Sequence, residues 1–149
     1  MKPGERVEVR RHLAASPERV FAAFASAEIV ARWLRPSPDV KLTVLELEFR
    51  EGGRYRFAYD TPAGERMLVG GVYRKIQAPN RLEFSWLIEP PDPHAGIESQ
   101  VTVSIEPGAG GTDLLILHER FGRADANARH AEGWRGALDQ LQQLLDSTR

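Results

Sequence analysis

A chain of 149 residues, 42% hydrophobic and 28% charged, has the composition of one soluble globular unit with a substantial core. Its formal net charge of −1 sets up no basic field, so nucleic acid is excluded as an expected partner. The absence of cysteine excludes disulfides, thiolate metal sites and cysteine nucleophiles.

The polar start from Met1 to Arg11 holds no apolar run of signal-peptide length. The longest aliphatic run, Leu114 to Leu117, is far too short for a membrane span. A cytoplasmic location without a span is the resulting expectation. Glu5 to Leu13 alternates, with Val7, Val9 and Leu13 on one face, and predicts a half-buried strand. Ser16-Pro17-Glu18 predicts a helix start: Ser16 caps, Pro17 suits the first helical position, and Glu18 suits the positive end of the dipole. Ser26 to Leu34 predicts a second short helix, ended by Pro36 and Pro38.

Six strands are predicted next. Val40 to Phe49 is the first; Gly52-Gly53 separates it from Arg54 to Tyr59, where Tyr55, Phe57 and Tyr59 share a face. Glu65 to Ile76 follows, its Gly70-Gly71 pair predicting a bulge or sharp coil. Arg81 to Ile88 alternates cleanly, with Leu82, Phe84, Trp86 and Ile88 on one side. Glu89 to Gly96 contains Pro90, Pro91 and Pro93 and predicts a loop, either a lid over a cavity or a plain connection. Gly96 to Glu106 and Thr112 to Phe121 complete the strands. Asp125 to Leu145 then reads as one amphipathic helix, with Trp134, Leu138, Leu141 and Leu145 on a single stripe.

Short turns between sequential strands dictate an antiparallel meander, and the greasy stripe of the last helix requires a sheet to cover it. The expected fold is therefore α+β, a single domain over residues 1–149 in the order strand, two helices, six strands, long helix. A hollow between sheet and helix is expected to carry function.

Four segments carry a family resemblance: Ser16-Pro17-Glu18-Arg19-Val20-Phe21, Ala31-Arg32-Trp33, Glu51-Gly52-Gly53-Arg54-Tyr55, and His118-Glu119 with Glu132-Gly133-Trp134. In this order the chain resembles bacterial homologues of the activator of the 90-kDa heat-shock-chaperone ATPase. These belong to the START-like, birch-allergen-like helix-grip superfamily, also called SRPBCC. Members commonly have two adjacent tryptophans where this chain has Trp33 and Leu34. The resemblance implies a helix-grip fold. The superfamily spans carriers, cyclases and hydrolases, so the fold alone selects no activity.

Candidate cavity residues are Trp33, Tyr55, Phe57, Tyr59, Phe84, Trp86, Val103, Ile116, His118, Trp134 and Leu138. The tyrosines either offer hydroxyls to a ligand or serve as ordinary core. His118 is either an acid–base group or, the plainer reading, a core histidine satisfied by a backbone carbonyl or by the terminal helix. His130 shares a helical face with Trp134 and reads as a solvated side chain or a contact at a pocket mouth. His12, His94, His118 and His130 are scattered without metal spacing, so no metal and no other cofactor is expected. The leading expectation is binding of a small hydrophobic or amphipathic ligand. The alternatives are an enzyme using His118, Tyr55, Tyr59 and Glu46, and a chaperone-activating partner. A homodimer is compatible with the sequence, but no residue argues for it.

Overall fold

The structure is a computed structural model that describes residues 6–92, 95–119 and 124–147. Strand β1 (Arg6–Leu13) buries Val7, Val9 and Leu13. Helix α1 (Pro17–Ala25) starts where Ser16 Oγ accepts a hydrogen bond from the Arg19 amide at 3.2 Å. Ser26 ends that helix and caps α2 (Ala27–Trp33), accepting from the Ile29 amide at 3.4 Å. Both starts lie where the caps predict them.

The remaining strands are β2 (Lys41–Leu47), β3 (Arg54–Asp60), β4 (Arg66–Gln77), β5 (Arg81–Ile88), β6 (Glu98–Gly108) and β7 (Gly111–Glu119). They form one curved antiparallel sheet in the order β1-β7-β6-β5-β4-β3-β2. The predicted meander runs from β2 to β7, and β1 joins it as a seventh strand beside β7. Helices α1 and α2 thus carry the chain from one sheet edge to the other. The curved sheet with its long C-terminal helix is the helix-grip architecture.

The glycine pair in β4 behaves differently from a simple bulge. The register steps from Gly70↔Leu87 to Tyr73↔Phe84 unchanged, and shifts only between Tyr73 and Lys75. A Cβ on Gly71 would stand 2.1 Å from the Ser85 carbonyl oxygen and 2.7 Å from the Tyr55 ring. Gly71 is therefore required by close approach of Tyr55 and β5, and the added residue is accommodated further along. Several predicted boundaries also shift by one or two residues. β2 ends at Leu47, leaving Phe49 to pack edge-on against Phe21 and Tyr73. β6 starts at Glu98, because Gly96 adopts the left-handed φ of 84° that ends the preceding loop. The predicted strand end at Phe121 lies outside the described residues.

Helix α3 (Ala124–Ser147) buries Trp134, Ala137, Leu138, Leu141 and Leu145 over the sheet. It is seated on the segment after α2. A Cβ on Gly136 would lie 1.8 Å from the Pro36 carbonyl oxygen, so the helix backbone rests directly on Pro36. The Gln140 amide donates to the Arg35 carbonyl at 3.2 Å beside this contact. On the other flank Arg11 donates to Gln142 and pairs with Asp139, each at 2.9 Å. Among the described residues no helix is long and apolar enough to cross a membrane.

Candidate functional site

A cleft of about 460 Å³ lies between α3, the segment after α2, and the sheet. Leu34, Arg35, Pro36 and Val40 form one wall; Tyr59, Met67 and Trp86 rise from β3, β4 and β5. The α3 wall includes His130, Gly133, Trp134 and Ala137, spaced i, i+3, i+4 and i+7 on one face. Two of those four positions are small, and this leaves the hollow. A Cβ added to Gly133 would meet nothing nearer than the Pro36 Cβ, at 3.9 Å.

Three rings, Trp86, His130 and Trp134, form the back of the cleft, and the His118 ring packs behind them. Trp86 and Trp134 lie with centroids 5.9 Å apart, and His118 and His130 lie edge-to-face at 4.8 Å. The Trp86 indole donates to His130 Nε2 at 3.1 Å, and the Trp134 indole donates to His118 Nδ1 at 2.9 Å. An indole nitrogen is only a donor, so Nδ1 of His118 carries no proton. The neutral ring then has its proton on Nε2 and donates to Ser99 Oγ at 2.8 Å. Ser99 in turn donates to the Trp86 carbonyl at 3.1 Å. This directed chain satisfies a buried imidazole at both nitrogens. Burial, and then the neighbouring His130, hold the His118 pKa well below the ordinary imidazole value.

Of the predicted cavity residues, the structure places Tyr59, Trp86 and Trp134 on the cleft wall. His118 is fully buried behind Trp134. Trp33 is also fully buried, donating to the Ala23 carbonyl at 2.9 Å and packing edge-on against Phe24. Tyr55, Phe57 and Phe84 form a buried aromatic group on the sheet, with Tyr55 in ring contact with both others. Val103 and Ile116 face each other across β6 and β7, and Leu138 is buried beneath α3.

The tyrosine hydroxyls are committed to backbone. Tyr55 donates to the Ser85 carbonyl at 2.6 Å, and Tyr59 to the Leu34 carbonyl at 2.9 Å. Burial pushes both phenol pKa values up. Glu46 is exposed on β2. The groups nominated for catalysis therefore do not converge on one point.

The predicted lid segment is anchored through its described residues. Glu89 accepts two hydrogen bonds from Arg56, at 2.9 and 2.8 Å, and Asp92 accepts two from Arg129 of α3, both at 2.7 Å. His94 lies outside the described residues. Among the described residues no group of three or more His, Cys, Asp or Glu is placed to hold a metal.

Sequence reasoning passed over Leu34, Arg35, Pro36, Val40, Met67, Gly133 and Ala137 as cleft residues. One signal was available: Gly133 and Ala137 interrupt an otherwise bulky helical stripe, and an interrupted stripe facing a sheet leaves space. The wall from Leu34 to Val40 has no such signal, because an irregular segment has no period.

The family model for Activator of Hsp90 ATPase homolog 1-like proteins matches residues 14–146. A crystal structure of a Chromobacterium violaceum protein is similar at 28% identity and a TM-score of 0.85, over 95% of this chain and 96% of that one. A Rhodobacter sphaeroides protein is similar at 26% identity and a TM-score of 0.82, over 100% and 97%. The AHSA1 protein of Silicibacter pomeroyi shares the fold at 24% identity and a TM-score of 0.85, over 97% and 99%. No curated protein matches the chain. With the model spanning nearly the whole sequence and the helix-grip architecture in place, the chain belongs to the Activator of Hsp90 ATPase homolog 1-like family.

Proposed function

We propose that this protein binds a small hydrophobic or amphipathic molecule in the cleft between α3 and the sheet. The observation that carries the reading is the cleft itself: about 460 Å³, within the range of small-molecule sites, with tryptophan, tyrosine and aliphatic walls. The reading is one of binding rather than turnover. The buried polar groups behind the cleft are saturated by one another, which leaves packing and desolvation as the main source of affinity.

Gly133→Phe tests it. Its side chain enters the hollow from a position where a Cβ has room. The uncharged dye Nile red is expected to brighten with the wild-type protein, and a small molecule retained through purification is expected in native mass spectra. Both signals are expected to fall at least about tenfold in Gly133→Phe, with an unchanged circular dichroism spectrum. Equal dye binding by the two proteins would remove the cleft as the site.

The family description names an activator of a chaperone ATPase. For a chaperone partner the surface argues less strongly. Among the described residues Leu45 is the one large hydrophobic side chain that is exposed. Stoichiometric recovery of the chaperone with the tagged protein would reverse this ranking.

A further inference from the structure

We infer that the cleft selects an amphipathic anion, an apolar body carrying a carboxylate that Arg35 receives. The inference rests on the cleft reading and deepens it.

Arg35 lines the cleft beside Leu34 and Pro36 and is half-buried. Its guanidinium is held by backbone. Nε donates to the Arg32 carbonyl at 3.2 Å, and Nη1 donates to the carbonyls of Pro38 at 2.7 Å and Val40 at 3.1 Å. Those bonds account for a structural clamp on the segment after α2. They leave two things over. Carbonyls do not neutralise the charge, and Nη2 donates to no protein acceptor among the described residues.

The other arginine of the cleft differs. Arg129 is neutralised by two-point contact with Asp92, as Arg56 is by Glu89 and Arg66 by Asp60. Arg35 makes no ion pair among the described residues. A fixed guanidinium with a spare donor at the edge of an apolar hollow is preorganised for a carboxylate, since three bonds already restrict its rotamers.

Glu132 also lines the cleft and carries the opposing charge. It is solvent-exposed, so water and salt screen it more than the half-buried Arg35. His130 receives the Trp86 indole on Nε2, so that nitrogen does not donate to an anion. The net preference therefore follows Arg35.

Three probes with one naphthyl body test this: naphthoate, naphthalenemethanol and naphthalenemethylamine, titrated against the wild-type protein by tryptophan quenching at neutral pH and low salt. Naphthoate is expected to bind about tenfold tighter than the alcohol, and the amine weakest. Raising salt to about 1 M is expected to erase most of the naphthoate advantage while leaving the alcohol unchanged. In Arg35→Gln the acid and alcohol are expected to bind equally. The wild-type ratio and its salt dependence decide the matter even if that variant loosens the segment after α2. Equal acid and alcohol binding in the wild type, a preference for the amine, or an acid preference that survives Arg35→Gln would overturn the inference and leave the cleft reading standing. Failure of all three probes to bind would overturn both.

Discussion

Gly136→Ala is expected to destabilise the protein by about 2 kcal/mol, lowering Tm by about 6 °C. The new Cβ would sit 1.8 Å from the Pro36 carbonyl oxygen and 2.8 Å from its carbon. Both are backbone atoms, so no rotamer change relieves the overlap. Helix α3 has to lift from the segment after α2, which also stretches the Gln140 bond to Arg35. Three residues earlier the same substitution has the opposite sign. Gly133→Ala places its Cβ at ordinary contact distance from Pro36 and removes a flexible residue from a helix interior. A gain of about 0.5–1 kcal/mol is expected there. Thermal unfolding of the two variants beside the wild type checks both. If Gly136→Ala melted no lower than Gly133→Ala, the seat of α3 on Pro36 would not be what positions the cleft wall.

The second large effect centres on His118. The folded protein holds this ring neutral, its pKa depressed by burial and by His130. Once pH falls below about 6.5, the unfolded chain takes up a proton that the folded chain refuses. The contribution of His118 is thus complete above that pH and declines as pH falls toward the folded-state pKa. The limiting slope is about 1.4 kcal/mol per pH unit. Asp60 and Glu89, held below the usual carboxylate range by Arg66 and Arg56, lose their contributions only below about pH 4, so the His118 decline begins well above theirs.

Replacing His118 by leucine deprives the Trp134 indole of its acceptor at full burial and removes the donor to Ser99. A loss of about 3 kcal/mol is expected at pH 8. The decline between about pH 6.5 and 5 should flatten in the same variant. His118→Gln, which retains one donor and one acceptor, should flatten the decline with a smaller loss at pH 8. Urea unfolding across this pH range measures both quantities. An acid decline unchanged in His118→Leu would assign it to another group.

The alternation in β5, the caps at Ser16 and Ser26, and the stripe on α3 were legible because each depends on residues within a turn or two of one another. The inward phase of His118 was legible for the same reason. Of its partners, the terminal helix is one of two that the sequence offers, and Trp134 supplies it; Ser99, on a neighbouring strand, is not legible from the sequence. Alternation assigns Tyr59 to the concave face, but the capture of its hydroxyl by the Leu34 carbonyl depends on a segment 25 positions away. The glycine pair in β4 predicts a bulge or sharp coil, because local reasoning sees only a missing side chain. The cause is the Tyr55 ring and Ser85 backbone pressed against Gly71.

Periodicity, capping chemistry and turn residues alone determined the α+β class, the order of the elements and the antiparallel course of the meander. Each of these is set by short-range backbone preference or by which face must leave water. Tertiary structure decided the rest: the seating of α3 on Pro36, the hollow that Gly133 and Ala137 leave, the tautomer of His118 and the spare donor of Arg35. All four arise where segments distant in the chain approach within a few ångströms. At that range, steric exclusion and hydrogen-bond direction depend on three-dimensional position, which a pattern along one strand or helix does not specify.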